Sequence, residues 1–547
     1  MSPTHEVLNQ PPPLAGYDLY DADPVLAEAL DREGAGWAAE RVRALGVLAG
    51  TAEAIAWGEA ADASPPVLRT HDRYGRRVDQ VDFHPAWHRL LGTAVEHGLH
   101  AGPWREPRPG AQVARAAGFY LWTQVEAGHG CPVSMTFAAV PALRAAPELA
   151  AVWEPRLTAL AYQPELAPVA SKAGALCGMA MTEKQGGSDV RANTTTAVPA
   201  GPDGPWLLTG HKWFCSAPMS DAFLVLARAP AGLSCFLVPR VLPDGARNGF
   251  HLQRLKDKLG NRANASAEVE LDRAAGWPVG EPGRGLAAIL EMVNHTRLDC
   301  VVGSAALMRQ AVAQATHHAA HRSAFGRRLA DQPLMTNVLA DLAVESEAAT
   351  MLAMRVAGTF DRGAGDPAEG ALRRLATAVA KYWVCKRAPM VAAEALECLG
   401  GNGYVEESGM PRLYREAPLN SIWEGAGNIN SLDVLRVLAR RPDALVALLD
   451  EVAPARAAEP RLEVAAAAVE RELAAADPVG LQAGARRLAE RLAVLLQGAL
   501  LVRHGHPAVA DAFCASRVAG DRGAAFGTLP PGLDLPAIVD RATPKVG

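Results

Sequence analysis

Trp423-Glu424-Gly425 is the most informative tripeptide of this chain, and it lies in the segment Arg412-Leu-Tyr-Arg-Glu-Ala-Pro-Leu-Asn-Ser-Ile-Trp-Glu-Gly-Ala-Gly-Asn428. It places one carboxylate in an apolar turn beside glycine, where water is scarce. Loss of water raises the pKa of a carboxyl group, which suits a base that must take a proton from carbon. The glycine lets a flat ligand approach the main chain closely. Alone, the tripeptide is more typical of a helix cap or a surface residue, so its interpretation depends on the other segments.

Composition places the chain among ordinary soluble globular proteins. Its 547 residues are 49% hydrophobic and 21% charged, enough for several domains with a large core. The net charge of −5 gives no general attraction to nucleic acid or anionic lipid. Eight scattered cysteines, and a start with neither basic residues nor an apolar run, predict a reducing, cytoplasmic compartment without a signal peptide. The longest apolar stretch, 492–502, is too short to span a bilayer.

Hydrophobic periodicity divides the chain into four predicted parts. These are a helical N-terminal domain (1–180), a small antiparallel β-domain (181–285), a helical bundle (286–440) and a helical C-terminal extension (441–547). The predicted helices are 24–49, 85–96, 112–126, 136–145, 287–319, 334–359, 367–399 and 429–439, and the predicted strands are 194–198, 206–209, 222–228, 233–239 and 267–271. The polar segment 69–84 is predicted to be a loop.

Two segments of the β-domain have a composition suited to a polar conjugated ring. Met181-Thr-Glu-Lys-Gln-Gly-Gly-Ser-Asp-Val190 predicts a turn whose main-chain N–H groups and hydroxyls face outward, although a plain glycine turn fits it as well. Gly210-His-Lys-Trp-Phe-Cys-Ser216 predicts a strand that presents Trp213 for stacking beside small polar residues. A tryptophan in the core of the β-domain is the alternative.

Two further segments are candidates for binding an anion. In His321-Arg-Ser-Ala-Phe-Gly-Arg-Arg328 an arginine stands at a helix end, where it can clamp a phosphate or form a solvated basic turn. In Glu397-Cys-Leu-Gly-Gly-Asn-Gly-Tyr404 glycines end a helix and open the backbone, which is also the pattern of an ordinary C-cap.

These five segments, in this order, resemble the acyl-CoA dehydrogenase family of flavoproteins over roughly residues 60–440. The resemblance implies an α+β, mainly helical fold with a middle antiparallel β-barrel, and an FAD shared between subunits of a homo-oligomer, usually a tetramer. The residues that it assigns to FAD are Met181, Thr182, Gly187, Ser188, Trp213, Phe214, Cys215, Arg322, Phe325, Gln332, Gly400, Gly401, Trp423, Gly425 and Asn428. Many members have Thr where Cys215 stands, so a flavin hydrogen bond is expected to be weakened or moved to the backbone.

The resemblance also implies the chemistry, which is α,β-dehydrogenation of an acyl-CoA thioester. Glu424 matches the family's base for the α-proton, with hydride leaving the β-carbon for flavin N5. Some members carry the base just before an arginine that corresponds to Arg297, but this chain has Thr296 there, which leaves Glu424 as the good candidate. The residues expected at the substrate are Ser188, Arg297 and Trp423. The electron acceptor would be an electron-transfer flavoprotein or oxygen.

Within the family, the chain resembles the AidB branch of alkylation-response flavoproteins. The resemblance rests on the extension beyond 440, on the segments 66–79 and 420–425 and on Arg254-Leu-Lys-Asp-Lys-Leu-Gly-Asn-Arg262. It extends over nearly the whole chain and includes Asn9-Gln10-Pro11 at the start. The branch implies weak dehydrogenase activity on isovaleryl-type thioesters and affinity for double-stranded DNA, with a DNA-protecting flavoprotein as the alternative function. The candidate DNA contacts are Arg436, Arg440, Arg441 and Arg517. They are interleaved with acids, a pattern more typical of solvated helix faces, so DNA binding is implied by the resemblance and not supported by composition.

Two pairs of histidines are the only sequence pattern that resembles part of a metal site. His317 and His321 are four residues apart on a predicted helix, and His504 and His506 flank a glycine. Neither pair has a third ligand nearby in sequence, so no metal is expected.

Overall fold

The computed structural model describes residues 4–201, 204–475 and 477–546. The chain forms two compact units, each assembled from separate stretches of sequence. The helical unit comprises Met1–Ile55, Pro109–Val125 and Cys300–Gly547, and the sheet unit comprises Ala56–Arg108 and Glu126–Asp299. The four-part division expected from sequence remains a prediction.

Long helices dominate the helical unit. Its helices are α1 (Pro24–Arg32), α2 (Ala39–Ala49), α6 (Ala111–Thr123), α10 (Pro333–Arg362), α11 (Pro367–Cys398), α12 (Met410–Glu416), α13 (Gly427–Arg440), α14 (Pro442–Ala458), α15 (Pro460–Ala475), α16 (Pro478–His504), α17 (Pro507–Phe513) and α18 (Leu535–Ala542). The unit also contains the two-residue strands β10 (Ser323–Ala324) and β11 (Arg327–Arg328). Helices α3 (Ala52–Ala63) and α9 (Gly285–His321) have residues in both units.

The sheet unit combines short helices with most of the strands. Its helices are α4 (Pro85–Glu96), α5 (Gly102–Arg105), α7 (Gly130–Leu143) and α8 (Pro147–Leu157). Its strands are β1 (Val67–His71), β2 (Arg77–Asp82), β3 (Cys177–Ala180), β4 (Thr196–Pro199), β5 (Trp206–Ser216), β6 (Ala222–Ala229), β7 (Gly232–Pro239), β8 (Phe250–Leu255) and β9 (Ser266–Val279). Apart from the helix 24–49, the predicted helical and β segments are confirmed, with shifted ends.

The predicted barrel closes through β6. This strand pairs with β4 and β7, and the ring continues from β4 through β5 and β9 back to β7. Strand β6 is apolar and buried at almost every position, as expected of a strand covered on both faces. Phe223 of β6 stacks on Phe250 of β8, with ring centroids 4.9 Å apart, in the centre of the barrel core.

Three details differ from the sequence predictions. The barrel is not purely antiparallel, because β3 and β4 both pair with β6 in parallel. The predicted helix 24–49 is interrupted after α1, where Gly34 takes a φ of +81° that an α-helix cannot accommodate. The predicted polar loop 69–84 contains most of a hairpin, β1–β2, whose tip is fixed by Asp72: its Oδ1 accepts the N–H groups of Tyr74 and Arg76.

The C-terminal extension is helical, as predicted, and a buried ion-pair cluster connects it to the bundle. Arg517 lies in a π-helical turn (Cys514–Val518) with its side chain 1% exposed, and it pairs with Glu345 of α10 at 3.0 Å and with Asp341. Arg387 of α11 also pairs with Glu345, at 3.0 Å. The prediction that Arg517 contacts DNA is therefore wrong, because its guanidinium is enclosed by the protein.

This cluster predicts a loss of stability in acid. Burial raises the pKa of Glu345, but the attraction of Arg387 and Arg517 lowers it further, to about 2. A carboxyl group with a depressed folded pKa stabilises the fold above its unfolded pKa of 4.5, and this contribution disappears as the pH falls towards 2. Between pH 4.5 and pH 3 the free energy of unfolding should fall by about 2 kcal/mol through this residue alone.

Urea titrations of the wild type and Glu345→Gln at several pH values measure this contribution. Glu345→Gln should be less stable at pH 7, because two buried guanidinium groups lose a charged partner. Its free energy of unfolding should also decline less steeply below pH 4.5. Equal slopes for the two proteins would contradict the role given to Glu345.

None of the helices in the described ranges is long and apolar enough to cross a membrane.

Candidate functional site

Glu424 lies in a tight turn between α12 and α13, which we call the Glu424 turn (residues 420–426). Its side chain is partly buried, and its φ of +57° is in the left-handed region. The neighbouring Gly425 has a φ of +97°. A non-glycine residue in this region costs of the order of 1–3 kcal/mol and persists only where the surroundings enforce it. The turn is therefore held in a shape that its own sequence does not prefer.

Lys381 makes several of the hydrogen bonds that hold the Glu424 turn in this conformation. It lies in the middle of α11 with 1% of its surface exposed. Its Nζ donates to three carbonyl oxygens of the Glu424 turn: Asn420 at 2.6 Å, Trp423 at 2.8 Å and Gly425 at 3.0 Å. The carbonyls before and after Glu424 are thus fixed by one ammonium group. A buried lysine with three acceptors is fully satisfied and brings a positive charge to the turn that carries the carboxylate.

Side-chain amides complete the support of the turn. Asn420 donates to the hydroxyl of Ser304 at 3.1 Å and accepts the indole N–H of Trp423 at 2.9 Å. Asn430, in the first turn of α13, donates to the carbonyls of Gly425 and Ala426. The indole of Trp423 is therefore oriented by a hydrogen bond beside the carboxylate.

The predicted phosphate-binding residues of the helical unit lie in two exposed segments. The 322–332 turn contains the β10–β11 hairpin, and Gln332 donates to the carbonyl of Ala324 at 3.0 Å across its base. Phe325 at its tip is 98% exposed, with a φ of +54°. Gly400 and Gly401 lie in a 3₁₀ turn after α11, where a Cβ at either position would meet no atom within 4 Å. Both segments therefore leave main chain and side chains open to a ligand.

In the sheet unit, Glu183 organises the predicted ring-binding loop that follows β3. Its carboxylate is fully buried and accepts hydrogen bonds from the N–H groups of Thr194 and Thr195 and from Lys212 of β5 at 2.9 Å. Burial raises the pKa of Glu183, but the Thr194 N–H and Lys212 lower it further, well below its usual range. A second hydrogen bond connects the loop to β5, because the backbone N–H of Trp213 donates to the carbonyl of Thr182 at 2.8 Å.

The predicted flavin-contacting residues of β5 lie where its pairing with β9 is interrupted, between Lys212 and Cys215. The interruption leaves Phe214 52% exposed and Trp213 partly exposed. The ammonium of Lys256 lies 3.2 Å from the centroid of the Trp213 ring, a cation–π contact. Cys215 is fully buried in the barrel core, and burial raises the pKa of its thiol to about 12. A side-chain contact from Cys215 to a flavin is thus excluded, and only its backbone remains for that role.

The remaining residues predicted to bind cofactor or substrate differ in burial and in hydrogen-bond partners. Met181 and Ser188 lie in the loop that Glu183 organises, and Ser188 is exposed. Arg297 is buried within α9. The side-chain oxygen of Asn428 accepts a hydrogen bond from Arg486 of α16 at 2.8 Å.

The three remaining arginines predicted to contact DNA differ in exposure and pairing. Arg436 pairs with Asp433 at 2.9 Å, and Arg441 pairs with Asp443 at 2.7 Å. Arg440 is exposed. Carboxylates beside Arg436 and Arg441 offset the positive charge that a phosphate backbone requires.

Family models match the chain from near its start to the end of α13. The model described as adaptive response protein AidB N-terminal domain matches residues 9–164. The acyl-CoA dehydrogenase middle-domain and C-terminal-domain models match residues 178–274 and 283–439. AidB of Escherichia coli (strain K12) is 47% identical over 514 residues, which is 93% of this chain and 94% of that protein. The chain belongs to the acyl-CoA dehydrogenase family, in its AidB branch.

Two comparisons with Caenorhabditis elegans proteins agree with this family assignment. Acyl-CoA dehydrogenase family member 11 is 32% identical over 486 residues, 83% of this chain and 78% of that protein. The crystal structure of ACDH-11 in complex with C11-CoA superposes with a TM-score of 0.85 at 30% identity and covers 95% of this chain and 94% of its own. The predicted acyl-CoA dehydrogenase fold is thereby confirmed. As a member of this family the chain is an oxidoreductase whose cofactor is FAD.

The residues present fit a flavin dinucleotide. In the sheet unit, Gly187 packs so closely on Thr182 that a Cβ would lie 2.5 Å from its Oγ1, so a larger residue here would displace the Thr182 side chain. In the helical unit, the 322–332 turn and the open glycines 400 and 401 offer a guanidinium and main-chain N–H groups for phosphates. The roles of the individual residues remain predictions.

Sequence reasoning missed Lys381 and the Glu183–Lys212 pair. A signal existed for Lys381, since it is a single basic residue in the otherwise apolar run from Leu375 to Cys385. Glu183 and Lys212 lie in the two predicted ring-binding segments, 181–190 and 210–216, but their spacing gives no indication that they pair.

Proposed function

We propose that this protein catalyses α,β-dehydrogenation of a short or branched acyl-CoA thioester of the isovaleryl type, with Glu424 as the base. The observation that carries the proposal is Glu424 itself, a carboxylate in a strained turn whose flanking carbonyls are held by one buried lysine. Such pre-organisation is typical of a group that must meet a reacting atom in one geometry.

The protein's own groups have three tasks in this reaction. Glu424 takes the α-proton of the thioester, and Lys381 keeps the carboxylate in position while it does so. Trp423, oriented by Asn420, lines the acyl side of the base. FAD, when bound, accepts the hydride from the β-carbon. The FAD is expected to be shared with a neighbouring subunit. Its pyrophosphate and adenine end would be held by Arg322, Phe325, Gln332, Gly400 and Gly401, and its ring by Thr182, Ser188, Trp213 and Phe214.

Thioester chemistry is supported by the relatives, whereas the acyl chain comes from the resemblance to the AidB branch. The C. elegans protein ACDH-11 is crystallised with C11-CoA, a medium-length thioester. Trp423 places a bulky side chain next to the base, which favours a short or branched acyl group over a long one. A substrate panel must therefore include both classes.

Oligomerisation, electron transfer and location complete the proposal. Phe325, Leu334 and Tyr404 are 98%, 84% and 83% exposed, and large apolar side chains exposed in this way support contact with a second copy of the chain in a homo-oligomer, which we expect to be a tetramer. The electron acceptor is an electron-transfer flavoprotein or oxygen. None of the eight cysteines forms a disulfide, which supports a reducing, cytoplasmic compartment.

Anaerobic titration of the purified flavoprotein tests the proposal. Isovaleryl-CoA, butyryl-CoA and an eleven-carbon acyl-CoA are added separately while the long-wavelength flavin absorbance is followed. Rapid, stoichiometric bleaching is expected with isovaleryl-CoA, and slower or partial bleaching with the eleven-carbon thioester. The control is the oxygen-ester analogue of isovaleryl-CoA, whose α-proton is less acidic than that of the thioester. It should leave the flavin oxidised.

A flavin that stays oxidised with every thioester would overturn the proposal. DNA protection would then become the leading function, and a duplex-binding measurement at several salt concentrations would follow. In that measurement Arg440→Ala should weaken binding.

A further inference from the structure

The segment Asn9–Pro12 runs across two of the predicted dinucleotide-binding elements. Asn9 and Ser323, at the start of the β10–β11 hairpin, are joined by hydrogen bonds, and Gln10 accepts one from Asn402 of the glycine-rich 3₁₀ turn at 3.3 Å. The carbonyl of Pro12 bonds to His317 Nε2 at 2.9 Å, near the end of α9. We call residues 9–12 the N-terminal strap.

Asn9 makes the most specific of these contacts. Its side-chain oxygen accepts the N–H of Ser323 at 2.9 Å, and its side-chain nitrogen donates to the carbonyl of Ser323 at 2.8 Å. One amide group thus satisfies both backbone groups of a single residue, as a neighbouring strand would. The φ of Asn9 is +57°, a conformation that asparagine tolerates better than most residues. Few other side chains combine this backbone shape with a donor and an acceptor.

The strap also engages the arginine predicted to bind the pyrophosphate. One terminal nitrogen of Arg322 donates to the backbone carbonyl of Asn9. The guanidinium is fixed at one end, and its other N–H groups remain available for a phosphate in a planar, pre-set orientation.

The elements that the strap joins have little support of their own. The β10–β11 hairpin has two residues in each strand, a length that is marginal without further contacts. Its tip residue, Phe325, is almost fully exposed. Ordering such a turn when a ligand binds would subtract from the affinity, and a contact that orders it beforehand restores that affinity.

We propose that Asn9 is a positioning residue for FAD, which holds Arg322 and the β10–β11 hairpin in the shape that binds the dinucleotide. The inference rests on the FAD-binding part of the proposed function and is independent of Glu424. The strap is thus part of the cofactor site, although it lies more than three hundred residues from that hairpin in sequence.

Reconstitution of the apoprotein with FAD tests this role. Asn9→Ala should raise the dissociation constant for FAD about tenfold, because two hydrogen bonds that order the site are lost. Asn337→Ala is the matched control: the Asn337 amide makes the same pair of hydrogen bonds with the backbone of Leu529 and has no part in the proposed cofactor site, so FAD affinity should stay at the wild-type level. Asn9→Gly should be as weak as Asn9→Ala, because it keeps the positive φ and removes only the amide.

A thermal measurement separates positioning from general stability. FAD raises the melting temperature of the wild-type apoprotein by an amount that follows its affinity. In Asn9→Ala this rise should be smaller, while the melting temperature of the apoprotein changes little. An unchanged FAD affinity in a folded Asn9→Ala protein overturns the inference, as does an equal loss of melting temperature with and without FAD.

The outcomes also distinguish this inference from the proposed function. If the wild type binds FAD and bleaches with thioester while Asn9→Ala binds FAD equally well, only the inference fails. If the wild type retains no FAD, the proposed function fails with it. Each FAD that Asn9→Ala does bind should bleach at the wild-type rate, because Glu424 and Lys381 are untouched.

Discussion

Glu424→Gln is expected to slow acyl-CoA-dependent bleaching of the flavin by about 10²–10⁴-fold, the usual contribution of a positioned general base. Glutamine has the shape of glutamate and no basic oxygen, so it can occupy the Glu424 turn without accepting the α-proton. The rate of bleaching under anaerobic conditions after rapid mixing with thioester measures the effect.

The FAD content of Glu424→Gln and its affinity for the thioester should remain close to wild type. Glu463→Gln, the same change at a carboxylate of α15 that pairs with Arg456, serves as the control and should bleach at the normal rate. Bleaching of Glu424→Gln at the wild-type rate would show that another group is the base.

Lys381→Met is expected to impair both the fold and the reaction. Methionine fills a similar volume but donates nothing to the partly buried carbonyls of Asn420, Trp423 and Gly425, of which only the Gly425 carbonyl keeps another donor, the amide of Asn430. A carbonyl that loses its donor costs about 1–3 kcal/mol when it is shielded from water, so the two carbonyls of Asn420 and Trp423 should lower the free energy of unfolding by roughly 2 kcal/mol. Urea denaturation measures this loss.

The reaction should be affected separately, because the Glu424 turn is strained and relaxes when its anchor is removed. A displacement of about 1 Å can reduce a rate by about 10²-fold, so bleaching of Lys381→Met should slow by one to two orders of magnitude. The affinity for the thioester should change less than the rate constant. A purely structural lysine would lower stability and leave the bleaching rate per bound flavin unchanged.

Lys386→Met is the matched control for Lys381→Met. It makes the same substitution five residues further along α11, where the side chain is only partly buried. This variant should keep both stability and bleaching rate near wild type. Equal damage from the two substitutions would indicate a general defect of α11, and the assignment of Lys381 to the Glu424 turn would then be wrong.

The sequence predicts the arrangement of helices and strands well, because apolar periodicity is strong in the long helices and in β6. It predicts the β1–β2 hairpin poorly, since β1 alternates between exposed and half-buried residues and has no clearly apolar face. Parallel pairing of β3 and β4 with β6 depends on contacts between distant segments, which periodicity does not encode.

The candidate site is predictable where a short motif carries it, as Trp423-Glu424-Gly425 does. It is not predictable where the partner is remote. Lys381 and Asn9 act on residues far along the chain, through backbone carbonyls and N–H groups that leave no sequence signature. The orientation of Cys215 depends on the interrupted pairing of β5 with β9, and the burial of Arg517 depends on a π-helical turn.

The left-handed backbone at Glu424 has a consequence for how this position can vary. Glycine would relieve the strain there and make the chain easier to fold, since it adopts a positive φ without penalty. Such a change would remove the carboxylate at the same time. Random variation screened only for stability should therefore favour glycine at position 424, whereas screening for turnover should keep glutamate. Selection for stability and selection for turnover thus favour different residues at position 424. Glutamate at this position in a homologue therefore indicates continued selection for catalysis.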